Sequence, residues 1–167
     1  MTMPLFMMRA LDERPEGPLP HIHRAAVVPA TVEDTFAFFA DPANLERLTP
    51  PWLRFTISSA RPLPVRHGTL IDYRIALRAV PMRWRSRIDV WQPGVCFVDR
   101  QILGPYLWWR HEHRFERVPA GTLVVDHVEY LPRLRVLSRR LVERDLARIF
   151  DYRGRALQDV FAARSGA

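Results

Sequence analysis

Hydrophobic and polar side chains alternate along most of the chain between residues 21 and 131, a pattern typical of strands that bury one face. Glycine and proline separate most of the alternating segments, as turns require. The pattern predicts strands over residues 21–28, 52–59, 69–77, 82–91, 95–103, 106–117 and 122–131.

The two segments at 69–77 and 82–91 have the clearest faces. Apolar or small side chains take every second position, and mostly charged side chains take the positions between them. We therefore expect one face to be buried and the other to meet solvent. The predicted inward residues are Ile71, Tyr73, Ile75, Leu77, Met82, Trp84, Ser86, Ile88 and Val90, and the predicted outward residues are Asp72, Arg74, Arg83, Arg85, Arg87 and Asp89.

Two short helices are predicted after the first strand. Thr31 with Asp34 three positions later is typical of a helix N-cap, and Asp41-Pro42 indicates a second helix start. Proline ends the second helix near residue 50. The positions predicted to be buried are Val32, Phe36 and Phe39 in the first helix, and Leu45 and Leu48 in the second.

The period changes to 3.6 residues over 134–163, which predicts one long terminal helix. We interpret residues 19–163 as a single α+β domain, preceded by a flexible leader at 1–18 and followed by a tail at 164–167. The apolar stripe of the terminal helix comprises Leu137, Leu141, Ile149, Phe150, Leu157, Val160 and Phe161.

Arginine supplies all 25 basic residues, and the formal net charge is +7. The arginines are spread along the whole chain rather than clustered, so we do not expect a nucleic-acid partner. An interaction module that uses the arginine-rich outer face of the sheet to contact an acidic partner remains an alternative function.

The single cysteine, Cys96, cannot form an internal disulfide, which favours a reducing compartment. The chain contains neither a signal-peptide pattern nor an apolar run long enough to span a bilayer. We therefore predict a cytoplasmic protein.

The segment at 106–117 separates aromatic and imidazole side chains from charged ones. Period-two geometry puts Trp109, His111, His113 and Phe115 on one face, and arginine and glutamate on the other. Such a face suits the wall of an apolar pocket that also contains water.

Four short phrases resemble a known family: Phe-Phe-Ala-Asp-Pro-Ala-Asn-Leu at 38–45, Leu-Thr-Pro-Pro-Trp at 48–52, Gly-Thr-Leu-Ile-Asp-Tyr at 68–73 and His-Glu-His at 111–113. With the order of elements, they are similar to bacterial ligand-binding proteins of the START-like, SRPBCC or Bet v 1-like superfamily. The resemblance covers about residues 19–161. It implies a helix-grip fold, in which a curved antiparallel sheet wraps around the terminal helix and leaves a cavity for an apolar small molecule. The superfamily includes lipid carriers, hormone receptors and polyketide cyclases, so the resemblance specifies fold better than activity.

His111 and His113 are two residues apart on one strand face, so both imidazoles can reach one metal ion. A metal site needs a third ligand, and Asp99, Asp126 or His127 would supply it only if the sheet pairing brought it close. In the segment 122–131 both faces are almost equally apolar, so the pattern does not decide whether Asp126 or His127 points inward. We expect no metal and no cofactor. Two interpretations stay open: a structural histidine pair, or a pair that contacts a ligand or transfers protons.

Phe97, Asp99 and Gln101 share one face of the segment 95–103. If this face points inward, the carboxylate enters the interior beside His111, where the two pKa values would be coupled. The resemblance favours this orientation and makes Asp99, His111 and His113 the candidate catalytic residues for proton transfer. The alternative inward set is Cys96, Val98 and Ile102.

The leading functional hypothesis is binding of an apolar or aromatic small molecule, and the second is a cyclase- or dehydratase-like enzyme. Arg153 either points inward, where it would pair with an anionic ligand, or lies on a solvated helix face. The sequence has no glycine-rich phosphate loop and no nucleophile elbow. The predicted ligand-binding residues are Tyr73, Trp84, Asp99, Gln101, Trp109, His111, His113, Phe150 and Arg153.

Overall fold

The computed structural model describes residues 11–59, 64–133 and 139–165. Its strands are β1 (His21–Val28), β2 (Thr56–Ile57), β3 (Leu70–Leu77), β4 (Val80–Gln92), β5 (Cys96–Leu103), β6 (Tyr106–Val118) and β7 (Gly121–Pro132). They form one antiparallel sheet with the order β1-β7-β6-β5-β4-β3-β2. Strands β2 to β7 follow each other as a meander, and β7 then lies beside β1, so the first strand pairs with the last.

The alternation in β3 and β4 is confirmed. Ile71, Ile75, Met82, Trp84 and Ile88 are all buried on one face of the sheet. Charged residues occupy the opposite face, where Arg85 Nε lies 2.7 Å from Asp72 Oδ1. The pleat thus puts apolar and charged side chains on opposite faces, as the sequence predicts.

The hairpin between β3 and β4 turns through Arg78 and Ala79, which have φ angles of 50° and 64°. Both values lie in the left-handed region, as a two-residue hairpin turn of type I′ requires at its two central positions. The guanidinium of Arg78 forms two hydrogen bonds to the Asp145 carboxylate, of 2.8 and 3.2 Å. The hairpin tip is thereby attached to the terminal helix.

Two short helices follow β1, namely α1 (Val32–Ala40) and α2 (Ala43–Arg47). Thr31 Oγ1 accepts a hydrogen bond from the Asp34 N–H at 3.1 Å, so the predicted cap is confirmed. The predicted stripe of α1 is partly wrong. Phe38 is 2% exposed and packs on the terminal helix, whereas Phe39 is only half-buried.

The predicted strand at 52–59 is wrong over most of its length. Residues Pro51–Leu53 form a single turn of 3-10 helix, and only Thr56–Ile57 form a regular strand beside β3. The N–H groups of Ser58 and Ser59 also donate to the Asp72 carbonyl oxygen in β3. Pro50 and Pro51 have no N–H to donate to a neighbouring strand, and Arg54 has a φ of 46°, which no extended strand tolerates.

The terminal helix α3 spans Arg139–Ser165 and packs against the inner face of the sheet. The first positions of the predicted helix, 134–138 with Leu137, lie outside the described residues. Leu141 and Ile149 are half-buried rather than fully buried. The buried apolar residues of α3 are Val142, Leu146, Phe150, Leu157, Val160 and Phe161.

The described N-terminal residues run along the sheet. The Leu11 N–H donates to the Leu107 carbonyl oxygen at 2.8 Å, and Arg14 pairs with Glu129 at 3.0 Å. Residues 1–10 lie outside the described part, and the boundaries near residues 18 and 163 stay predictions. Among the described helices, none is long and apolar enough to cross a membrane.

Buried apolar residues form two clusters between the sheet and the helices. One surrounds Phe36, Phe97 and Phe161, and the other surrounds Trp84 and Trp109. Burial of each such aromatic side chain stabilises the fold by about 1.5–3 kcal/mol. A cavity lies between the two clusters.

Candidate functional site

A cavity of about 180 Å³ lies between the inner face of the sheet and helices α1, α2 and α3. This is more than ten times the space that one water molecule needs, which is about 10–15 Å³. Residues from both apolar clusters line it, together with a smaller number of polar residues. Of these, we call Ser86, Asp99, His111, His113 and Arg153 the polar wall. The aromatic lining residues are Phe38, Phe39, Phe55, Tyr73, Trp84, Phe97, Tyr106, Trp109 and Phe150.

Packed aromatic rings form one side of the cavity. Tyr73 and Trp84 stack with their centroids 5.7 Å apart, and Trp109 meets Trp84 edge-on at 5.3 Å. Such contacts contribute about 0.5–1.5 kcal/mol each beyond the area they bury. They keep this wall in place whether or not a ligand is present.

Ser86 connects the aromatic wall to the polar one. Its Oγ accepts a hydrogen bond from Trp84 Nε1 at 3.1 Å and lies 3.3 Å from the Tyr73 hydroxyl. The Ser86 hydroxyl in turn donates to Asp99 Oδ1 at 3.1 Å. Because the single serine hydrogen is directed at the carboxylate, the Tyr73 hydroxyl is the donor in its contact with Ser86.

The pairing of β5, β6 and β7 brings the polar residues together. Asp99 is the register partner of His111, and His113 is the register partner of Asp126. We call Asp99, His111, His113, Asp126 and Arg153 the histidine–carboxylate cluster.

The two imidazoles lie between the two carboxylates. Asp99 Oδ2 is 3.5 Å from His111 Nδ1 and 3.5 Å from His113 Nε2. On the opposite side, Asp126 Oδ1 is 3.0 Å from His111 Nε2 and 2.7 Å from His113 Nδ1. At His113 Nδ1 the N–H direction does not point at that oxygen, and no aligned partner exists among the described residues.

Arg153 joins the cluster from α3. Its Nε lies 3.3 Å from Asp126 Oδ2, and its guanidinium lies 5.3 Å from the centre of the Phe39 ring. Only 9% of its side chain is exposed. Of the two predicted orientations, the Arg153 side chain has the inward one. There it supplies the positive charge that the buried carboxylate of Asp126 needs.

Burial and neighbouring groups have opposing effects on the pKa values of the cluster. Burial, together with the nearby His113, lowers the pKa of His111 to about 4, so this imidazole is neutral at pH 7. Burial by itself would raise the pKa of Asp126, but Arg153 and the two imidazoles outweigh it and hold that pKa well below its usual range. Burial by itself would also raise the pKa of Asp99, but its contacts with His113, His111 and Ser86 outweigh burial and lower that pKa.

Most of the predicted binding residues meet at this cavity. The exception is Gln101, whose Nε2 donates to the Tyr106 carbonyl oxygen at 2.7 Å and whose Oε1 accepts from the Tyr106 N–H at 3.3 Å. Its amide therefore holds the turn between β5 and β6. The predicted residues that line the cavity are Tyr73, Trp84, Asp99, Trp109, His111, His113, Phe150 and Arg153.

The structure also answers questions that the pattern leaves open. Asp126 is buried and points inward, while His127 lies on the outer face beside His21 and His23. Sequence reasoning identifies Ser86 as inward but does not identify it as part of the site. The signal in the sequence that could have identified Ser86 as a site residue is its hydroxyl, which stands among otherwise apolar inward side chains of β4.

No model of a protein family matches this sequence, and no curated protein sequence matches it. Solved structures do match. The Zhui aromatase/cyclase from a Streptomyces species superposes with a TM-score of 0.72 at 17% identity, over 89% of this chain and 96% of that chain. The Bet v 1-like Ara h 8.0201 superposes with a TM-score of 0.65 at 12% identity, over 87% of this chain and 99% of that chain.

The chain shares the helix-grip fold of these solved structures, a curved antiparallel sheet packed around a long terminal helix. A further match is the di-domain aromatase/cyclase StfQ from the steffimycin biosynthetic pathway, with a TM-score of 0.68 at 16% identity. The match covers 88% of this chain but only 52%, about half, of the StfQ chain. The helix-grip fold that the sequence resemblance implies is thus confirmed.

Proposed function

We propose that this SRPBCC-fold protein binds a small apolar or aromatic molecule in the cavity between the sheet and α3. The observation that supports this most directly is the cavity of about 180 Å³, whose lining is largely aromatic and aliphatic with a small number of polar groups. Binding pockets for small molecules have this composition, in which apolar walls provide affinity and a few polar groups provide orientation.

The size of the cavity limits the ligand. A cavity of about 150 Å³ in another protein holds benzene, and pockets for drug-sized ligands are typically about 300–1,000 Å³. This cavity therefore suits a molecule with one or two rings. A hydroxyl on the ligand could donate a hydrogen bond to the Asp99 carboxylate, which lines the cavity.

The proposal can be tested with 2-naphthol, a two-ring aromatic with one hydroxyl, by isothermal titration calorimetry on the full chain. Ile149 lines the cavity and belongs to α3, so Ile149→Trp should fill part of the space and weaken binding about tenfold or more. Ala162→Trp adds the same side chain on the exposed side of α3 and should bind like the wild type. Equal affinity in wild type and Ile149→Trp would contradict the proposal.

A second function, proton transfer on a bound ketone, is favoured by one observation. The imidazole of His113 lies in the cavity wall, with a carboxylate on each side. In such a step, His113 would remove a proton from the carbon beside the carbonyl to give an enolate and would then return a proton to that carbon. The carboxylates of Asp99 and Asp126 on either side would stabilise the positive charge of the imidazolium. His111 is a poor candidate for the base, because burial lowers its pKa to about 4.

This second function predicts faster hydrogen–deuterium exchange at the acidic carbon of benzoylacetone, followed by NMR in D₂O. Wild-type protein should accelerate the exchange, and His113→Gln should abolish the acceleration, whereas His127→Gln on the outer face should leave it unchanged. If wild type and His113→Gln exchange the proton equally fast, the acid–base function is wrong and only binding remains.

A further inference from the structure

We propose that Asp99, His111 and His113 form a binding site for a divalent transition-metal ion such as Zn²⁺, with an open coordination position toward the cavity. Each residue offers one ligand atom, and the three atoms lie within 4.8 Å of one another. The sequence by itself predicts no metal, since it does not place a third ligand. The register of β5 against β6 supplies it by setting Asp99 opposite His111.

The distances within the set match a metal site. Zn²⁺ binds imidazole nitrogen and carboxylate oxygen at about 2.0–2.2 Å, so tetrahedral ligand atoms are about 3.4 Å apart. Asp99 Oδ2 is 3.5 Å from His111 Nδ1 and 3.5 Å from His113 Nε2. These separations are too long for strong hydrogen bonds, but they are close to the distance between two ligand atoms in a tetrahedral metal site.

The outer side of the cluster matches the surroundings of metal-bound histidines. Such histidines usually give their second ring N–H to a carboxylate, which sets the tautomer and the ring orientation. Here Asp126 Oδ1 lies 3.0 Å from His111 Nε2 and 2.7 Å from His113 Nδ1. We assign the ring protons to these two nitrogens, although the N–H at His113 Nδ1 is not aligned with Asp126 Oδ1. The lone pairs of the other two ring nitrogens then lie on the side of Asp99.

Charge also favours a cation. Imidazoles that bind a metal ion are neutral, so in that state the cluster contains the negative charges of Asp99 and Asp126 and the positive charge of Arg153, a net charge of −1. Arg153 is 3.3 Å from Asp126 and does not reach between the imidazoles and Asp99. A divalent ion at that position would give a net charge of +1, which a bound hydroxide or an anionic ligand would neutralise.

The donor set indicates which ions fit. Two imidazoles and one carboxylate suit Zn²⁺, Co²⁺ or Fe²⁺, whereas Mg²⁺ and Ca²⁺ prefer oxygen ligands only. All three ligand residues line the cavity, so the next coordination position opens toward it. Three protein ligands and an open position are typical of metal sites that bind water or a substrate rather than of structural sites. The metal site does not depend on apolar ligand binding, but it excludes direct proton transfer by the lone pair of His113.

The test is a titration of the full chain, first treated with a chelator, with Co²⁺, followed by visible absorption, and with Zn²⁺, followed by calorimetry. We expect one ion per chain and the intense d–d absorption of four-coordinate Co²⁺. His113→Gln and Asp99→Asn should weaken binding about 100-fold or more, and Asp126→Asn, which removes the outer carboxylate, about 10–100-fold.

The matched control is His127→Gln. His127 lies on the outer face, with ring centroids 5.8 Å from His21 and 6.1 Å from His23, where a surface ion could bind. This variant should keep the Co²⁺ absorption and the affinity. Loss of binding in His127→Gln but not in His113→Gln, or no ion bound by the wild type, would overturn the proposal. Should His113→Gln fail to fold, X-ray absorption of the Zn²⁺-loaded wild type decides: two imidazole ligands support the site, and fewer than two refute it.

Discussion

Arg153→Met should destabilise the protein more than any surface substitution of an arginine, because it leaves the buried carboxylate of Asp126 without its cation. The pair is 3.3 Å apart, and the two side chains are 9% and 11% exposed. At an effective dielectric constant of about 20, opposite charges at this distance attract by about 5 kcal/mol. Removal of one partner of a buried ion pair typically costs about 3–5 kcal/mol. Methionine retains most of the apolar stem of arginine, so the loss reflects mainly the charge.

Urea unfolding followed by tryptophan fluorescence measures this loss, on protein freed of metal by a chelator. Arg155→Met is the matched control, since Arg155 lies on the same helix and is exposed; its free energy of unfolding should change by less than about 0.5 kcal/mol.

A double-mutant cycle separates the charge from the packing. Arg153→Met combined with Asp126→Asn removes both charges, so the double variant should be more stable than the sum of the single losses predicts, by about 0.5–3 kcal/mol. A loss below about 1 kcal/mol in Arg153→Met, or strict additivity in the cycle, would refute the reasoning that a stranded buried carboxylate dominates.

Three further predictions concern stability. Folding lowers the pKa of His111 from 6.5 to about 4, so between these pH values only the unfolded chain takes up this proton. The free energy of unfolding of metal-free protein should therefore fall by up to about 3 kcal/mol as the pH drops from 6.5 to 4. In urea titrations at several pH values, His111→Gln should lack this dependence on pH, and the same dependence in wild type and variant would contradict the prediction. Ala79→Gly should raise the melting temperature, since Ala79 has a φ of 64° and relief of this left-handed conformation stabilises by about 1 kcal/mol. Gly154→Ala in α3 should also raise it, by up to about 1 kcal/mol, because no atom lies within 4 Å of the added methyl group; calorimetry that shows a lower melting temperature for either variant would count against the corresponding argument.

The sequence by itself determines which face of most elements is buried. Side-chain alternation in β3, β4 and β6 correctly predicts the inward positions of Trp84, Trp109, His111 and His113, because the period of a strand is a local property of the chain. Helix caps and the 3.6-residue period are equally local, and they predict α1, α2 and α3.

Only the tertiary structure decides which residues from different elements meet. The register between β5 and β6 sets Asp99 opposite His111, and the packing of α3 on the sheet brings Arg153 to Asp126. Neither contact leaves a local signal, because pairing register depends on the fit of the whole sheet. The same holds for the cavity, since its volume is what remains after the strands and α3 have packed against each other.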